Sequence, residues 1–536
     1  MKNTLKLLLL IITLCACFYQ LFGQSKKNIT FTFYSNPVIP GFHPDPSICR
    51  VGDDYYLVNS SFEYFPGVPV YHSKDLVHWE QIGYCLTREN QVNLKNCTPV
   101  GGIYAPVIRY HNGLFYMITT NVTNGGHFYV TAANPKGPWS NPIFVDGKFF
   151  DPDIFWDSDG KAYFMHMQMT DGIQLQEIDT KTGKLSGEAH TIWKGFDDPR
   201  PEGPHIYKIK GYYYLLVAEG GTWTGHMIIM ARSKNITGPY TGSLRNPIIT
   251  HRDDLSLPIS STGHADLIED QKGNWWMVLL GVRPVDDFHN LGRETFLTPV
   301  IWNKDGFPEV PGNRIRLEAR APLLPVHIMQ PEQRIDSFNE NKLSLCWNFI
   351  RNPDTADYSL SEKPGSLLIN TSPVTLSEVD KSPAFVGRRQ ESFSGSFKVE
   401  LNFDASGDNE EAGVTVLMDE GHHYDFAVTN RDGKRVVIVR ETVGKPNIVN
   451  ITPIKDGSAI LSVTFEPHSY NFGIVNNNVT TNLLTLPAKN LSSEIAGGFT
   501  GVYLGMYASG NGKQGITKAY FNWAETTFQS NGNCLK

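Results

Sequence analysis

The sequence predicts an all-β protein with two domains, a five-bladed β-propeller followed by a β-sandwich. Three observations lead to this prediction: a length of 536 residues, an aromatic content of 12% together with frequent Gly and Pro, and a hairpin pattern that recurs five times. A chain of this length is expected to form more than one core. Aromatic runs that are broken by turn residues favour short strands over long helices.

The hairpin pattern consists of a variable first residue, Pro, any residue, and Ile or Leu, with Ala in place of Pro in the fifth copy. A Gly-containing turn and an aromatic-rich second strand follow. The copies begin 46 to 61 residues apart, which is enough for four strands and their loops, so each copy predicts one propeller blade. A sandwich or barrel of five hairpins is the alternative. The copies begin at Asp45, Ala105, Asp151, Gly203 and His264.

In a propeller the first strands of all blades line a common channel, so residues at equivalent positions are expected to meet. Asp45 and Asp151 begin their copies, Glu202 directly precedes the fourth copy, and His264 begins the fifth. Prolines on both sides of Asp45 restrict its backbone and hold its side chain in one direction. The sequence therefore predicts three acids and a histidine at one end of the channel.

A cluster of buried acids is tolerated when the groups pair, bind a cation or take on different pKa values for catalysis. Each acid taken alone could instead cap a turn. The segment DPDIFWDSDG is rich in Asp, but the spacing of its acids does not fit a calcium-binding loop. Asp159 and Gly160 stand where the hairpin must turn. Hydrolysis of a glycosidic bond fits the cluster, because it needs one carboxylic acid at the leaving oxygen and one carboxylate opposite.

Four motifs occur in the order HPDPSI, FFDPDIFWDSDGKAYF, RPEGPHIYKIKGYYYLL and GRETFL. Together they resemble glycoside hydrolase family 43, whose members are five-bladed propeller enzymes that act on xylose and arabinose linkages. The resemblance covers residues 33–325. It implies that Asp45 is the general base, that Glu202 is the general acid, and that Asp151 tunes the pKa of the acid and orients it.

The resemblance also implies inversion at the anomeric carbon, with a water molecule between Asp45 and the sugar. This mechanism requires roughly 6.5 to 9.5 Å between the carboxyl groups of Asp45 and Glu202. Asp45 must then stay ionised, whereas Glu202 must be protonated near neutral pH. Repulsion from the charge of Asp151 is expected to keep the proton on Glu202.

Two further residues are assigned to the substrate by the resemblance. Arg293 matches an arginine of the sugar-binding subsite, and its alternative is a surface ion pair with Glu294. His264 matches a channel histidine that lies near the substrate and ligates a calcium ion in some relatives; an ordinary hydrogen-bonding histidine is the alternative. No other cofactor is expected. Aromatic residues that could stack on a sugar, or equally belong to the core, are Phe62, Phe65 and Trp223.

After the Pro-rich segment RAPLLPVHIMQPEQR, short alternating strands at sandwich-like spacing predict a second domain over 331–530. In SFKVELNF, for example, every second residue is apolar. The segment SPAFVGRRQ (382–390) resembles the C-terminal concanavalin-like jelly roll of the β-xylosidase-like branch of the family. In that branch a sandwich loop narrows the propeller mouth to a pocket, which implies release of single sugars from chain ends. A carbohydrate-binding appendage is the alternative.

The N-terminus carries Lys2 and Lys6 before the apolar run LLLLIITLCACF, which is too short to span a bilayer. We therefore expect a signal peptide over 1–23 and an exported chain that is periplasmic, secreted or lipid-anchored through Cys17. The net charge of −7 has no acidic or basic block, so nucleic acid is not an expected partner. A homo-oligomer stays open.

Together these features predict an exo-acting, inverting β-xylosidase that removes xylose from the non-reducing ends of xylo-oligosaccharides. The nearest alternative is an α-L-arabinofuranosidase, or activity on both sugars. A non-catalytic sugar-binding propeller is a more distant alternative. Retaining fructan hydrolases would need Asn-Asp-Pro and Arg-Asp-Pro motifs, whereas Asp45 follows His-Pro and Asp151 follows Phe-Phe.

Overall fold

The computed structural model describes residues 33–198, 200–329 and 334–529. The predicted signal peptide therefore lies outside the described residues. The helical elements of the described ranges are four short ones: the α-helix Ser493–Ala496 and the 3-10 helices Pro311–Asn313, Thr355–Asp357 and Ala488–Leu491. None of them is long and apolar enough to cross a membrane.

The first domain is the predicted propeller, and its five blades are antiparallel sheets. The first strands contact one another in cyclic order, with the fifth against the first, so they close a ring around a channel. Blade 1 has strands Ser47–Val51, Asp54–Val58, Gly67–Ser73 and Glu80–Leu86. Blade 2 has Ile103–His111, Leu114–Asn121, Gly126–Ala132 and Ile143–Val145. Blade 3 has Phe150–Trp156, Ala162–Gln168, Gly172–Asp179 and Lys184–Trp193.

Blades 4 and 5 complete the ring. Blade 4 has Glu202–Ile209, Tyr212–Glu219, Met227–Ser233 and Thr241–Gly242, and Ile249–Thr250 also pairs with its third strand. Blade 5 has Ser260–Glu269, Trp275–Val282, Glu294–Trp302 and Pro308–Glu309. Outside the blades, Phe33–Ser35 pairs with Glu318–Arg320.

The first residue of every repeat has left-handed backbone geometry, which L-residues with a side chain seldom adopt. In blades 2 to 5 this residue falls at a register shift between the first two strands, as in a β-bulge. A bulge redirects a side chain away from the regular strand pattern. The repeat therefore fixes a backbone geometry as well as a position. The φ angles are 52° at Asp45, 30° at Ala105, 58° at Asp151, 56° at Gly203 and 46° at His264.

The second domain is a sandwich of two antiparallel sheets. The outer sheet has, in spatial order, Tyr358–Ser359, Leu367–Asn370, Lys518–Phe528, Gly395–Asn402, Ala459–Glu466, Ser469–Asn476 and Val479–Pro487, with Ile335–Asp336 also on Lys518–Phe528. The inner sheet has Phe385–Arg389, Tyr503–Ser509, Glu411–Asp419, His422–Arg431, Lys434–Val443 and Lys445–Pro453. The alternating residues of SFKVELNF are buried in the core between the sheets: Phe397, Val399, Leu401 and Phe403. The predicted domain limits, 33–325 and 331–530, enclose these strands and stay predictions.

The other face of the inner sheet packs against the propeller in a shared apolar core that includes Phe42 and Tyr64 of the propeller and Tyr503 of the sandwich. A short strand pair, Tyr64–Phe65 with Phe349–Ile350, joins the two domains. Phe65 therefore belongs to this pair, and its side chain packs in the core of the first blades.

Buried polar contacts add to this interface. Arg351 of the sandwich is fully buried and binds the carboxylates of Glu63, at 2.8 Å, and Glu420. Arg389, from the SPAFVGRRQ segment, donates to the backbone oxygen of Phe42 at 2.8 Å. Because Phe42 lies three residues before Asp45, the sandwich supports the segment that carries the first acid. Cys49, Cys85 and Cys97 are buried free thiols.

Candidate active site

Asp45 lies between two prolines, directly before the first strand of blade 1, and its carboxylate is buried. Ser60 Oγ donates to Oδ2 at 2.6 Å and Arg293 Nη1 donates to Oδ1 at 2.8 Å. Burial alone would raise the pKa of Asp45, but the charge of Arg293 and the Ser60 hydrogen bond hold it below the usual range. Asp45 is therefore an ionised carboxylate with a fixed direction, as a base requires.

Ser60 was not expected from the sequence. Its hydroxyl donates to Asp45 and accepts from the backbone nitrogen of Ala105 at 2.7 Å. It therefore joins the first repeat position of blade 1 to that of blade 2. The segment NSS carries no motif that would distinguish this serine from its neighbours.

Asp151 begins blade 3 and is also buried. Its Oδ2 accepts from the backbone nitrogen of Gly203 at 2.8 Å, so Asp151 is tied to the residue that follows Glu202. Burial, then the charges of Glu202 and Asp45, raise the pKa of Asp151 well above its usual value. Asp151 therefore retains a proton at a pH where an isolated carboxyl would have lost it.

Glu202 begins the first strand of blade 4, opposite Ala218, and its side chain is 19% exposed. It is thus the most accessible of the three acids, as a group that must reach a leaving oxygen should be. His226 Nε2 lies 3.3 Å from Glu202 Oε1. The ring of His226 fills the space beside Gly263, where an added Cβ would lie 2.2 Å from it. His226 was missed in the sequence because no repeat position marks it.

Glu219 holds the loop that leads to Glu202. It is fully buried, and its carboxylate accepts from the backbone nitrogens of Phe196, at 2.8 Å, and Asp197, at 3.0 Å. Trp193 Nε1 donates to the same carboxylate at 3.0 Å. A carboxylate at the end of a strand can orient a loop in this way, but only the folded chain reveals which loop it binds.

His264 lies between the acids. Its Nδ1 is 3.9 Å from Asp45 Oδ1 and 4.0 Å from Asp151 Oδ2, and its ring packs against Gly203. Burial lowers the pKa of His264, although the charges of Asp45 and Glu202 oppose the shift. A neutral histidine at this point can donate or accept a hydrogen bond without adding charge to the cluster.

The family resemblance implies a calcium ion at His264. Ca²⁺ takes six to eight oxygen ligands. His264 offers a nitrogen, and no group of three or more histidine, cysteine or acidic side chains that could hold a metal occurs in the described part of the chain. The calcium ion at His264 therefore stays a prediction.

Arg293 is buried, and its carboxylate partner is Asp45 rather than the adjacent Glu294. Glu294 instead makes a two-point ion pair with Arg283, at 2.6 and 2.8 Å. The same Arg293 nitrogen that binds Asp45 also donates to Thr222 Oγ1 at 3.2 Å. The alternative of a surface pair with Glu294 is therefore not what the fold contains.

Aromatic rings surround Arg293 at the mouth of the site. Its guanidinium lies over the ring of Phe62, at 5.5 Å, and over that of Phe499, at 5.7 Å. Phe499 belongs to the sandwich, and its ring centroid is 6.1 Å from that of Trp223. Trp223 is 45% exposed, whereas Phe62 is buried. Trp223 and Phe499 are therefore the rings available to a ligand, and Phe499 carried no signal in the sequence.

The sandwich segment that carries Phe499 is bound to the blade 5 loop that carries Arg293. His289 Nδ1 lies 2.5 Å from Glu494 Oε1, and the backbone nitrogen of Val502 donates to Asn290 at 2.9 Å. Arg293 Nη2 in turn donates to the backbone oxygen of Phe499 at 3.4 Å. One side of the mouth is thus a wall supplied by the second domain.

Comparison with known proteins accounts for this arrangement. Residues 34–308 match the family model described as glycosyl hydrolases family 43. The chain belongs to this family. As a family 43 glycoside hydrolase, it also matches the family's companion domain, the β-xylosidase C-terminal concanavalin A-like domain, over residues 335–527. The predicted family and fold class are therefore confirmed.

The family 43 relatives span nearly the whole chain. A non-reducing end α-L-arabinofuranosidase of Bacteroides ovatus is 43% identical over 98% of this chain and 98% of its own. A xylosidase/arabinosidase of Butyrivibrio fibrisolvens is 40% identical over 89% and 96%, and a β-xylosidase of Bacillus subtilis is 34% identical over 88% and 95%.

Solved family 43 structures agree with the fold. A family 43 protein from the xyloglucan utilisation locus of Bacteroides ovatus superposes with a TM-score of 0.88 at 43% identity, over 93% of this chain and all of that one. A xylan β-1,4-xylosidase of Bacillus halodurans reaches the same TM-score at 34% identity, over 92% of this chain and all of that one.

Proposed function

We propose that this glycoside hydrolase is an exo-acting, inverting enzyme that releases xylose from the non-reducing ends of xylo-oligosaccharides. One observation carries the proposal: an ionised carboxylate, Asp45, stands in the same cluster as Asp151, a carboxyl group with a raised pKa, and the more exposed carboxyl of Glu202 beside it. Hydrolysis of a glycosidic bond by inversion needs one group of each kind.

In the proposed reaction, Asp45 removes a proton from water as the water oxygen bonds to the anomeric carbon. The bond from that carbon to the leaving oxygen breaks, and Glu202 gives its proton to the leaving oxygen. Asp151, whose pKa is raised, holds a proton beside Glu202, because two ionised carboxylates in this buried space repel each other. Arg293 keeps Asp45 ionised and directs it.

Action at chain ends is supported by the wall that the sandwich supplies. Phe499 stands beside Trp223 and Arg293, so the mouth is bounded on one side by the second domain. A site bounded in this way favours a chain terminus over the interior of a long chain. The name of the Bacteroides ovatus relative, a non-reducing end α-L-arabinofuranosidase, also refers to action at a chain end.

An α-L-arabinofuranosidase is the second candidate, favoured by the name of that same relative at 43% identity. The names of other relatives combine xylosidase with arabinosidase or give β-xylosidase alone. The two pentoses present similar hydroxyl groups, so one site could accept both.

The first experiment compares hydrolysis of p-nitrophenyl β-D-xyloside and p-nitrophenyl α-L-arabinofuranoside by the full chain, with Glu202→Gln as the matched control. We expect turnover of at least one of them, abolished in the control variant. Proton NMR of the first product must show the inverted anomer. A retained anomer would contradict the mechanism, and pentose binding without turnover would favour the sugar-binding alternative.

We also propose export of the protein, supported by Lys2, Lys6 and the apolar run that follows. Mass spectrometry of the chain isolated from its host distinguishes the two routes. A chain that begins at Gln24 indicates signal-peptide cleavage, and a lipid-modified Cys17 indicates anchoring. An intact Met1 in the mature protein would contradict export.

A further inference from the structure

A second set of polar side chains lies two residues beyond the first repeat position in four of the blades. Because side chains two residues apart point to the same face of a strand, these residues lie one step along the channel from the first repeat positions. All are buried, and none was singled out in the sequence. They are Ser47, Asp153, His205 and Asp266.

Arg109 of blade 2 binds all four of these side chains. Its Nη1 donates to Asp266 Oδ2 at 2.7 Å and to Ser47 Oγ at 3.3 Å. Its Nη2 donates to Asp153 Oδ2 at 2.7 Å and lies 2.8 Å from His205 Nδ1. One guanidinium therefore joins its own blade to the other four.

The positive charge of Arg109 balances the negative charges of the buried carboxylates in this set. Asp153 and Asp266 are both buried, and Arg109 pairs with both of them; His205 Nδ1 also lies 2.8 Å from Asp153 Oδ2, and the Tyr207 hydroxyl donates to Asp266 Oδ1 at 2.5 Å. Burial would raise the pKa of Asp266, but the charge of Arg109 and hydrogen bonds from Arg109 and Tyr207 hold it far below the usual range. Without Arg109, two buried carboxylates would stand directly below the acid cluster, and such charges are costly when unpaired.

Each residue bound by Arg109 is coupled through the backbone to a member of the acid cluster. Ser47 follows Asp45, and Asp153 follows Asp151, in each case with one proline between. His205 follows Gly203, the neighbour of Glu202, again across a proline. Because proline restricts the backbone, fixing the second residue also limits the direction of the first.

The acids also need such support because Asp45 and Asp151 have left-handed backbone geometry. Strained residues of this kind persist only where the surrounding structure holds them. Arg109 supplies an anchor for the other four blades, two residues beyond the first repeat position of each.

We propose that Arg109 is a positioning residue for the reaction: by binding the residues two positions beyond the first repeat positions, it sets the relative placement of Asp45, Asp151 and Glu202. The inference rests on the proposed hydrolysis. It assigns Arg109 no contact with the sugar, so its loss should lower kcat and leave KM nearly unchanged.

The test compares Arg109→Lys with Arg440→Lys in the full chain. Arg440 is a matched control because it makes an equivalent buried network in the sandwich, with Glu411 at 2.6 Å and Asp425 at 3.0 Å. Lysine keeps the positive charge but cannot serve several partners with a planar fork. Steady-state kinetics on the better p-nitrophenyl pentoside and thermal unfolding are measured for both variants.

We expect Arg109→Lys to lower kcat about 100-fold with KM within threefold, since misplacement of reacting groups by about 1 Å has effects of this size. Arg440→Lys should lose similar thermal stability and keep kcat within twofold. A kcat within twofold in Arg109→Lys, or an equal loss in both variants, would overturn the inference.

A second variant covers the case in which Arg109→Lys does not fold. Asp153→Asn keeps the shape and removes one charge of the network, so we expect kcat to fall about tenfold with KM unchanged. An unchanged kcat here would also overturn the inference. If the wild-type chain hydrolyses neither pentoside, the proposed function fails first; if it does and these variants match it, only the role of Arg109 fails.

Discussion

The backbone nitrogen of Gly203 donates a hydrogen bond to Asp151 Oδ2 at 2.8 Å, while the α-carbon of Gly203 packs against the ring of His264. The residue that follows the acid Glu202 thus touches two other members of the cluster. Asp45 and Asp151 have φ angles similar to the 56° of Gly203, so glycine is favoured at this position by space: an added Cβ would lie 3.0 Å from the ring of His264.

We predict that Gly203→Ala lowers kcat/KM by about 100-fold, because the added Cβ would lie 3.0 Å from His264 Cε1 and displace the acids. Gly211→Ala is the matched control. Gly211 lies in the same blade with a φ of 77° and has open space around it. Both variants should lose about 1 kcal/mol of stability through backbone strain, but Gly211→Ala should keep kcat/KM within twofold. Equal activities in the two variants would contradict the prediction.

We predict that Asp151→Asn inactivates the enzyme and yet stabilises it at pH 7. The pKa of Asp151 is raised in the folded state, so its contribution to stability is present below the unfolded pKa near 4 and is lost as pH rises. Asparagine has no such loss, and the gain should be about 1 kcal/mol or more. Urea unfolding at pH 7 and pH 4 measures this gain, which should shrink at the lower pH.

We predict that Asp45→Asn changes the stability of the protein in the opposite direction, so it serves as a control for Asp151→Asn. The pKa of Asp45 is lowered in the folded state, so its contribution is present above the unfolded pKa and is lost as pH falls through the folded pKa. Removing its charge leaves Arg293 buried without its carboxylate partner, which should destabilise the protein by about 3 kcal/mol at pH 7. Stability changes of the same sign in Asp45→Asn and Asp151→Asn would contradict both assignments.

We predict that Arg293→Met moves the acid limb of the kcat/KM profile to higher pH. Without the arginine, the buried carboxyl of Asp45 ionises less readily, and the base is active only once it is ionised. Arg293→Lys keeps a positive charge and should show a smaller displacement, although its activity will also fall. An acid limb that does not move in Arg293→Met would exclude Asp45 as the group that titrates there.

We predict that Phe499→Ala raises KM for both p-nitrophenyl pentosides about tenfold, the effect of losing roughly 1.4 kcal/mol of apolar contact. The ring belongs to the sandwich but stands beside Trp223 and Arg293. Ile495→Ala is the control, since Ile495 lies in the same segment with 44% of its surface exposed. A KM that Phe499→Ala leaves unchanged would remove the sandwich from the substrate site.

The repeat was the part of the site that could be predicted. Asp45, Asp151 and His264 occupy the first position of their copies, and Glu202 precedes one, so a closed ring of blades must bring them together. Periodicity marks such positions because each blade repeats the same strand and bulge. The left-handed geometry at all five positions shows that the pattern records a backbone requirement.

Contacts outside the repeat could not be predicted in the same way. Arg293 is followed in sequence by an acid, Glu294, yet it pairs with Asp45, 248 residues away. Phe65 stood near the expected mouth but belongs to the strand pair between the domains. Ser60, His226 and Glu219 carry no local motif, because their roles arise from which loop or strand lies opposite them.

The sequence by itself determined the blades, the sandwich and the four residues that meet in the channel, because strand periodicity and turn chemistry are local properties that recur along the chain. Only the tertiary structure decided the partner of Arg293, the convergence of four other blades on Arg109, and the approach of Phe499 from the second domain. Those contacts join segments that are distant in sequence, and such segments come together only once the ring of blades has closed and, for Phe499, the sandwich has packed against it.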